Sequence, residues 1–129
     1  MKRSEPARYV PKAWGHEEIL IATPNYTLKR LTVLPGFQCS LHYHVHKCES
    51  FLIESGVMLL ETQSVDRLHN GLMGEPEHDI FQPGASVYLR NFTAHRFKCG
   101  SDAPCVFWEV STYDDPADTV RLEPSGPIG

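Results

Sequence analysis

The 129-residue sequence has no long apolar run. No segment approaches the roughly 20 consecutive apolar residues that a membrane-spanning helix requires, so we expect no membrane partner. The N-terminal residues 1–6 are polar and charged, and no apolar core of a signal peptide follows them. Together these absences favour a cytoplasmic protein.

Clustered basic residues and cysteine motifs are also scarce. The chain has 12 Lys and Arg against 16 Asp and Glu, a formal net charge of −4, and Lys2-Arg3 is interpreted as a solvated chain end. A nucleic-acid-binding domain needs clustered Lys and Arg, so we expect no nucleic-acid partner. The four cysteines form no C-x-x-C pair. Without a secretory signal we expect reduced thiols, with a disulfide as the alternative.

Turn-forming residues, by contrast, are frequent. Ten prolines and nine glycines separate short stretches of β-branched and aromatic residues. The sequence shows no long helical periodicity, internal repeat or low-complexity segment. This pattern predicts an all-β sandwich or barrel of short strands. The predicted strands cover residues 26–34, 51–53, 57–62, 86–89 and 105–112.

The length of the chain suits one domain with one core, which we expect to span residues 1–129. Residues 1–20 are predicted to form an irregular arm, with at most one strand at 19–21. Residues 63–80 are polar and predict a long loop or a hairpin. Residues 114–129 contain Asp-Asp-Pro and Pro-Ser-Gly-Pro and predict a loosely held tail.

Side-chain alternation along the strands predicts which residues share a face. Lys29, Leu31 and Val33 share one face of their strand, but both faces are mixed, so the pattern does not decide which one points inward. In the last long strand, Phe107 and Glu109 share a face. A buried carboxylate in so apolar a strand needs a partner, water or a metal.

Residues 36–56 hold the most informative cluster of polar side chains. His42 and His44 are two residues apart, so on a strand both rings point to one face. Glu49 can return to that face after a short bend, and His95 lies on a later segment. Such nitrogen and oxygen ligands suit Zn, Fe, Mn, Co, Ni or Cu. We predict that His42, His44, Glu49 and His95 bind one divalent transition metal.

A second interpretation of the same histidines is a solvated edge strand or an adventitious metal binder. His46 is predicted to lie in the bend. The other histidines have no visible partners in the sequence and are expected on the surface or in loops; they are His16, His69 and His78.

Residues 36–56 resemble the first cupin motif, G-x5-H-x-H-x3,4-E-x6-G. Each fixed position is filled, by Gly36, His42, His44, Glu49 and Gly56. The resemblance covers about residues 25–112. It implies a double-stranded β-helix, a small jelly-roll barrel, with the metal inside its mouth.

The second cupin motif, G-x5-P-x-G-x2-H-x3-N, is matched only in part. Gly84 and His95 fit. The Pro, Gly and Asn positions hold Arg90, Phe92 and Cys99, which puts the geometry of the turn before His95 in question.

A longer pattern is similar to the cupin domain of bacterial type II mannose-6-phosphate isomerases. Residues 29–33 followed by Pro35-Gly36 resemble K-R-I-T-V-x-P-G, and residues 118–121 resemble D-I-V-R. D-lyxose isomerases resemble the same pattern, with His where the first enzymes have Gln, and His42 agrees with them. The nucleotidyltransferase domain that often precedes the first family's cupin is not expected in this sequence.

These resemblances imply an aldose–ketose isomerase, which moves a proton between C1 and C2 of a sugar through an enediol. A divalent ion can stabilise the developing charge, and a base with a pKa near the working pH must move the proton. The candidates for that base are Lys29, Lys47 and Glu109. For Lys29 we expect burial to lower the pKa.

Three arginines are candidates for holding substrate hydroxyls or a phosphate through bidentate contacts, namely Arg90, Arg96 and Arg121. For each of these arginines and for the candidate bases, the alternative is a plain surface charge.

Three functions remain open at this point. The first is a metal-dependent enzyme of the isomerase type acting on a sugar or sugar phosphate. The second is an Fe-dependent cupin dioxygenase, which would need a drier, aromatic pocket, and the third is a non-catalytic sugar-binding or sensor module. A homodimer is expected by analogy, because cupins commonly pair through their sheets and a small chain has sheet edges to cover.

Overall fold

Strand pairing organises almost all of the chain that the structure, a computed structural model, describes, residues 7–129. This range contains thirteen strands and one short 3-10 helix, Pro116–Asp118, which confirms the expected all-β class. No helix among these residues is both long and apolar enough to cross a membrane. The strands are β1 (Arg8–Lys12), β2 (Gly15–Ala22), β3 (Tyr26–Val33), β4 (Phe37–Gln38), β5 (Leu41–His44), β6 (Glu49–Ser55), β7 (Met58–Val65), β8 (Leu72–Phe81), β9 (Ser86–Leu89), β10 (Thr93–Cys99), β11 (Cys105–Thr112), β12 (Thr119–Glu123) and β13 (Gly126–Pro127).

The strands form two antiparallel sheets with a jelly-roll arrangement. The first sheet has the order β1-β2-β3-β11-β6-β9. In the second, β10 pairs with β7 along one edge and with the short strands β4 and β5 along the other. Strand β8 continues this sheet beyond β7, while β12 and β13 extend β5 and β4.

The apolar core lies between the two sheets. Phe51 and Phe107 from the first sheet pack against Phe97 from the second, with ring centroids 4.9 to 6.0 Å apart. In β3 the buried positions include Lys29, Leu31 and Val33, so this is the face that points inward. Glu109 is buried on the core face of β11, as the alternation of that strand indicates.

The N-terminal region differs from the predicted irregular arm; residues 1–6 of that arm lie outside the described residues. Strands β1 and β2 form a hairpin that continues the first sheet beyond β3. At the turn, a Cβ on Gly15 would lie 1.9 Å from the Thr32 carbonyl oxygen, so only glycine allows this close approach. Because an edge hairpin is ordered mainly by backbone hydrogen bonds, its side chains carry little apolar alternation.

The C-terminal region likewise differs from the predicted loose tail. Residues 119–123 pair with β5, and residues 126–127 pair with β4. Arg96 fastens this segment through Glu123, at 2.8 Å, and through the Pro124 carbonyl, at 3.0 Å. Proline-rich composition therefore concealed strands that depend on distant backbone partners.

Residues 63–80 adopt the hairpin, one of their two predicted forms. Strands β7 and β8 pair along most of their length, and the turn is closed by hydrogen bonds between Asp66 and residues 70 and 71. All four cysteines are free thiols in this structure.

Candidate functional site

The two sheets bring the four predicted metal ligands together at one end of the core. His42 and His44 lie on β5, and His95 on β10 is the direct register partner of His42. The three ring centroids lie 4.4 to 5.6 Å apart, and one ring nitrogen of each lies within 4.8 Å of the others. Glu49, the first residue of β6, faces the same point and is 3% exposed.

Each of the three rings is oriented by a contact to its Nδ1 atom. For His42 and His95 the partner is a backbone carbonyl, which can only accept, so Nδ1 carries a proton and Nε2 is the nitrogen left to bind a metal when the ring is neutral. Such outer contacts fix the tautomer and direction of a metal-binding imidazole. The contacts are His42 to Ser40 O at 2.8 Å, His95 to Thr93 O at 3.0 Å and His44 to Thr119 Oγ1 at 3.2 Å.

One oxygen of the Glu49 carboxylate, Oε1, points at the histidines. It lies 2.7 Å from His95 Nε2 and 3.8 Å from His44 Nε2. The His95 contact lacks hydrogen-bond geometry, and Oε1 is buried with no hydrogen-bond partner among residues 7–129. A carboxylate oxygen close to imidazole nitrogens is favourable only when a proton or a cation lies between them. The donor set therefore fits a divalent transition metal.

The titration behaviour of His42 and His44 agrees with neutral, metal-binding rings, whereas the Glu49 carboxylate favours the charged form of His95. Burial lowers the pKa of His44 to about 4 and that of His42 well below its usual value. Burial also opposes charge on His95, but the adjacent Glu49 carboxylate outweighs it and raises the pKa of His95. Neutral imidazoles are the form that binds metal ions.

A network of ion pairs continues from Glu49 into the cavity. Lys47 Nζ contacts Glu49 Oε2 at 3.2 Å, Glu109 Oε2 at 3.1 Å and Asp114 Oδ1 at 3.1 Å. The other oxygen of Asp114 lies 2.7 Å from Lys29 Nζ. The structure therefore brings together the three predicted base candidates and adds Asp114, which the sequence analysis did not select.

The network changes the protonation expected for these groups. Burial alone would lower the pKa of Lys29, as the sequence predicts, but nearby carboxylates, Glu109 foremost, outweigh burial and raise it. The expected fall is therefore wrong. The pKa of Lys47 is raised for the same reason, against burial. Burial and the charge of Glu49 raise the pKa of Glu109 to about 7, which Lys47 only partly offsets.

Asp118 holds the bend between His44 and Glu49. Its side chain is nearly buried and accepts hydrogen bonds from three successive backbone N–H groups: Val45 at 3.1 Å, His46 at 2.9 Å and Lys47 at 2.9 Å. His46 lies in this bend, as predicted. Asp118 was not predicted as a site residue, although it opens the stretch 118–121 that carries the family resemblance.

The turn before His95 places a non-glycine residue in the left-handed backbone region. Phe92, at the motif's Gly position, has φ = 56°, a conformation that favours glycine. Its N–H donates to the His44 carbonyl at 2.8 Å. Its ring packs on Tyr43 and lies 4.9 Å from the Arg67 guanidinium, and these contacts offset the backbone strain.

The metal ligands and the ion-pair network line one cavity of about 250 Å³. Arg121, opposite His42 in register, lines it too. Arg90 and Arg96 do not: Arg90 is exposed elsewhere, and Arg96 is buried against the C-terminal segment. The N-terminal hairpin supplies Lys12, Trp14 and Glu17; the apolar wall includes Leu31, Phe51 and Phe97.

Comparison with known sequences identifies a match over most of the chain. The family described as mannose-6-phosphate isomerase C-terminal matches residues 2–124. A mannose-1-phosphate guanylyltransferase of Salmonella muenchen is 26% identical over 87% of the chain and 22% of its own length. The xanthan biosynthesis protein XanB of Xanthomonas campestris is 30% identical over 90% of the chain and 23% of its own length. The chain thus spans under a quarter of these curated relatives.

Solved structures with the same architecture confirm the cupin fold. CapF of Staphylococcus aureus superposes with a TM-score of 0.80 at 22% identity, covering 93% of this chain and 32% of CapF. KdgF of Halomonas has a TM-score of 0.64 at 13% identity, covering 79% and 82%. A Bacillus subtilis oxalate decarboxylase, studied for its Mn(II) centres, has a TM-score of 0.65 at 22% identity, covering 93% and 29%.

Proposed function

The chain belongs to the mannose-6-phosphate isomerase C-terminal family, and from this premise we propose that it is a metal-dependent isomerase of a sugar or sugar phosphate. The observation that carries the proposal is the buried Glu49 oxygen, which has no hydrogen-bond partner in the described residues, faces three histidines and adjoins the Lys47–Glu109 pair. Proton transfer on a sugar can use a metal ion to stabilise the developing negative charge and a neighbouring carboxylate to move the proton.

His42, His44, Glu49 and His95 would hold one divalent metal ion, with Zn, Mn, Fe, Co and Ni as the candidates. When bound, the ion supplies Lewis-acid stabilisation of the negative charge that develops on the sugar oxygens.

Glu109 is the strongest candidate for the base. Its carboxylate lies in the cavity wall 3.1 Å from Lys47, and burial raises its pKa, toward the range in which a carboxylate can both accept and return a proton at neutral pH. In the forward direction it takes the proton from C2 of the aldose, the C2 hydroxyl proton passes to O1, and Glu109 returns its proton to C1.

Lys29 and Lys47 are better suited to hydrogen-bond donation than to proton abstraction. Their raised pKa values keep both ammonium groups charged at neutral pH. Lys47 lies 3.1 Å from Glu109, so it can orient that carboxylate as well as contact a substrate hydroxyl. Arg121 is a candidate for a substrate contact at the cavity rim.

The dioxygenase alternative has less support, because charged residues outnumber the three aromatic side chains of the cavity lining, Trp14, Phe51 and Phe97. A non-catalytic sugar-binding module uses the same cavity without turnover. The test below separates it from an isomerase.

We also propose a homodimer in the cytoplasm. The outward face of the first sheet exposes three large apolar side chains on neighbouring strands, Leu52, Tyr88 and Val110, and such a face favours association. Light scattering across a concentration series measures the mass; a monomer at all concentrations would contradict the dimer.

Turnover is tested by loading the wild type with each candidate metal and following aldoses and aldose phosphates by NMR for the matching ketose. We expect Glu109→Gln to lower turnover by about 10²-fold or more, the usual contribution of a general base. The matched control is Glu61→Gln, a carboxylate on β7 that pairs only loosely with Lys98, at 3.8 Å. Sugar binding without turnover in any metal form would identify a binding module instead.

A further inference from the structure

The positive charges inside the cavity are already neutralised by its own carboxylates. Lys47 contacts Glu49, Glu109 and Asp114 at 3.1 to 3.2 Å. Lys29 contacts Asp114 at 2.7 Å. Both lysines are buried, so drawing either one toward a new anion would leave a carboxylate without its partner in a poorly solvated place.

The cations nearer the cavity mouth are also poor partners for a substrate phosphate. Lys29 and Lys12 share Glu17, at 3.7 and 3.8 Å. Among residues 7–129, Arg121 is the one cavity-lining cation with no carboxylate within 4 Å, and it is solvent-exposed. A single exposed ion pair improves affinity by less than about fivefold.

Residues 7–129 also lack the other common phosphate site, the N-terminus of an extended helix. The helical structure in residues 7–129 is confined to the three residues Pro116–Asp118. No extended helix in residues 7–129 therefore aims free N–H groups at the cavity, and recognition of a phosphate would rest on the exposed Arg121 and on Lys12, whose contact with Glu17 is loose at 3.8 Å.

The lining does suit hydroxyl groups, each of which can donate and accept. Carboxylate acceptors and ammonium donors alternate along the wall from Glu17 through Lys29 and Asp114 to Lys47. Hydroxyls of Ser40, Thr119 and Ser125 add to it. The volume of about 250 Å³ lies below the roughly 300–1,000 Å³ typical of sites for drug-sized ligands, which limits the ligand to a small molecule.

We propose that the substrate of this site is an uncharged monosaccharide, recognised through its hydroxyls, and that a phosphate group is neither required nor favoured. The inference rests on the proposed function and specifies its substrate class. Ion pairing within the cavity, rather than its size, is what leaves the phosphate without a partner.

The test measures, by calorimetry on the metal-loaded wild type, the affinity of an aldose and of its terminal phosphate ester, for example mannose and mannose 6-phosphate, and repeats it across several such pairs. We expect at least one free aldose to bind, with its ester no more than about fivefold tighter. Esters that bind more than tenfold tighter than the free sugars would overturn this inference and leave the isomerase proposal standing. If neither member of any pair binds the metal-loaded protein, the proposed function itself fails, and the inference fails with it.

A variant that frees a cavity lysine from its carboxylate partner tests directly whether ion pairing disfavours the phosphate. Glu17→Gln removes the carboxylate that Lys12 and Lys29 share and should raise the affinity of the ester relative to the aldose several-fold. Glu54→Gln is the matched control, because Glu54 pairs with Arg30 on the outer face of the first sheet. An unchanged ratio in Glu17→Gln would show that ion pairing does not exclude the phosphate and would overturn the inference.

Discussion

Replacing Asp118 with Asn removes one of the two carboxylate oxygens that accept the backbone N–H groups of residues 45–47. In the wild type one oxygen serves Val45 and His46, and the other serves Lys47 at 2.9 Å. In the variant an amide NH₂ would face the Lys47 N–H, donor against donor. A hydrogen bond to a charged group contributes about 1.5–3 kcal/mol, so we expect a loss of about 2–3 kcal/mol in unfolding free energy.

The same substitution should weaken metal binding, because the bend it loosens connects two of the ligands. His44 precedes the bend and Glu49 follows it, so their separation depends on the conformation of residues 45–47. Changes to groups that hold metal ligands in place typically cost 10- to 100-fold in affinity. We expect Asp118→Asn to fall in this range.

Urea unfolding of the metal-free protein gives the stability, and competition against a chelating dye gives the metal affinity. Asp115→Asn is the matched control: Asp115 is exposed and accepts one N–H, from Ala117 at 3.0 Å. We expect that control to leave metal affinity unchanged. If Asp118→Asn loses stability but binds metal within twofold of the wild type, Asp118 supports the fold without positioning the ligands, and the reasoning is refuted.

Two further perturbations test the ion-pair network and the N-terminal hairpin. Burial raises the pKa of Asp114, but two neighbouring ammonium groups outweigh burial and lower this pKa below 3.8. The charged carboxylate therefore stabilises the fold above about pH 4, and this stabilisation is lost as the pH falls through the folded-state pKa. Urea unfolding should therefore find Asp114→Asn less stable than the wild type at pH 7, by about 1–2 kcal/mol. The difference in unfolding free energy between the two proteins should become smaller toward pH 3. A difference that does not change with pH would contradict the role given to the charged Asp114 carboxylate. Gly15→Ala puts a Cβ 1.9 Å from the Thr32 carbonyl oxygen and should lower stability by about 2–4 kcal/mol in thermal unfolding. Gly71→Ala, where a Cβ meets open space, serves as its control, and equal effects would argue against a close-packed hairpin.

The cupin fold and the convergence of His42, His44, Glu49 and His95 could be predicted because their signals are local. The spacing of His42, His44 and Glu49 is a property of one strand and one bend, and strand alternation placed Glu109 on the same face as Phe107. Both kinds of signal survive in a single sequence without any knowledge of distant contacts.

The groups that support the site could not be predicted, because their partners are far away in the chain. Asp118 contacts residues 71 to 73 positions earlier, and Asp114 reaches Lys47 across 67 positions. Both follow β11 in a segment whose composition suggested a loose tail. The pKa of Lys29 was misjudged for the same reason: its burial is visible in the strand pattern, whereas the carboxylates that outweigh burial come from other elements.

The predicted role of Arg96 rested on a family resemblance, which gives the position of a residue in the sequence but not the direction of its side chain. Arg96 directly follows the predicted metal ligand His95, so on a strand its side chain points to the opposite face. There its guanidinium is fully engaged, by the Cys39 carbonyl and by the C-terminal segment. Arg96 therefore holds the C-terminal segment in place and does not line the cavity, although it adjoins a predicted ligand in the sequence.

The most direct measurement is elemental analysis of the protein purified without an affinity tag, beside the double variant His42→Ala with His44→Ala. A second double variant, His69→Ala with His78→Ala, removes two exposed histidines and serves as the control. We expect about one transition-metal ion per chain in the wild type and the control, and none in the His42/His44 variant. A wild type that carries no metal, and takes up none when Mn, Fe, Co, Ni or Zn is added, would contradict the metal centre on which the account depends.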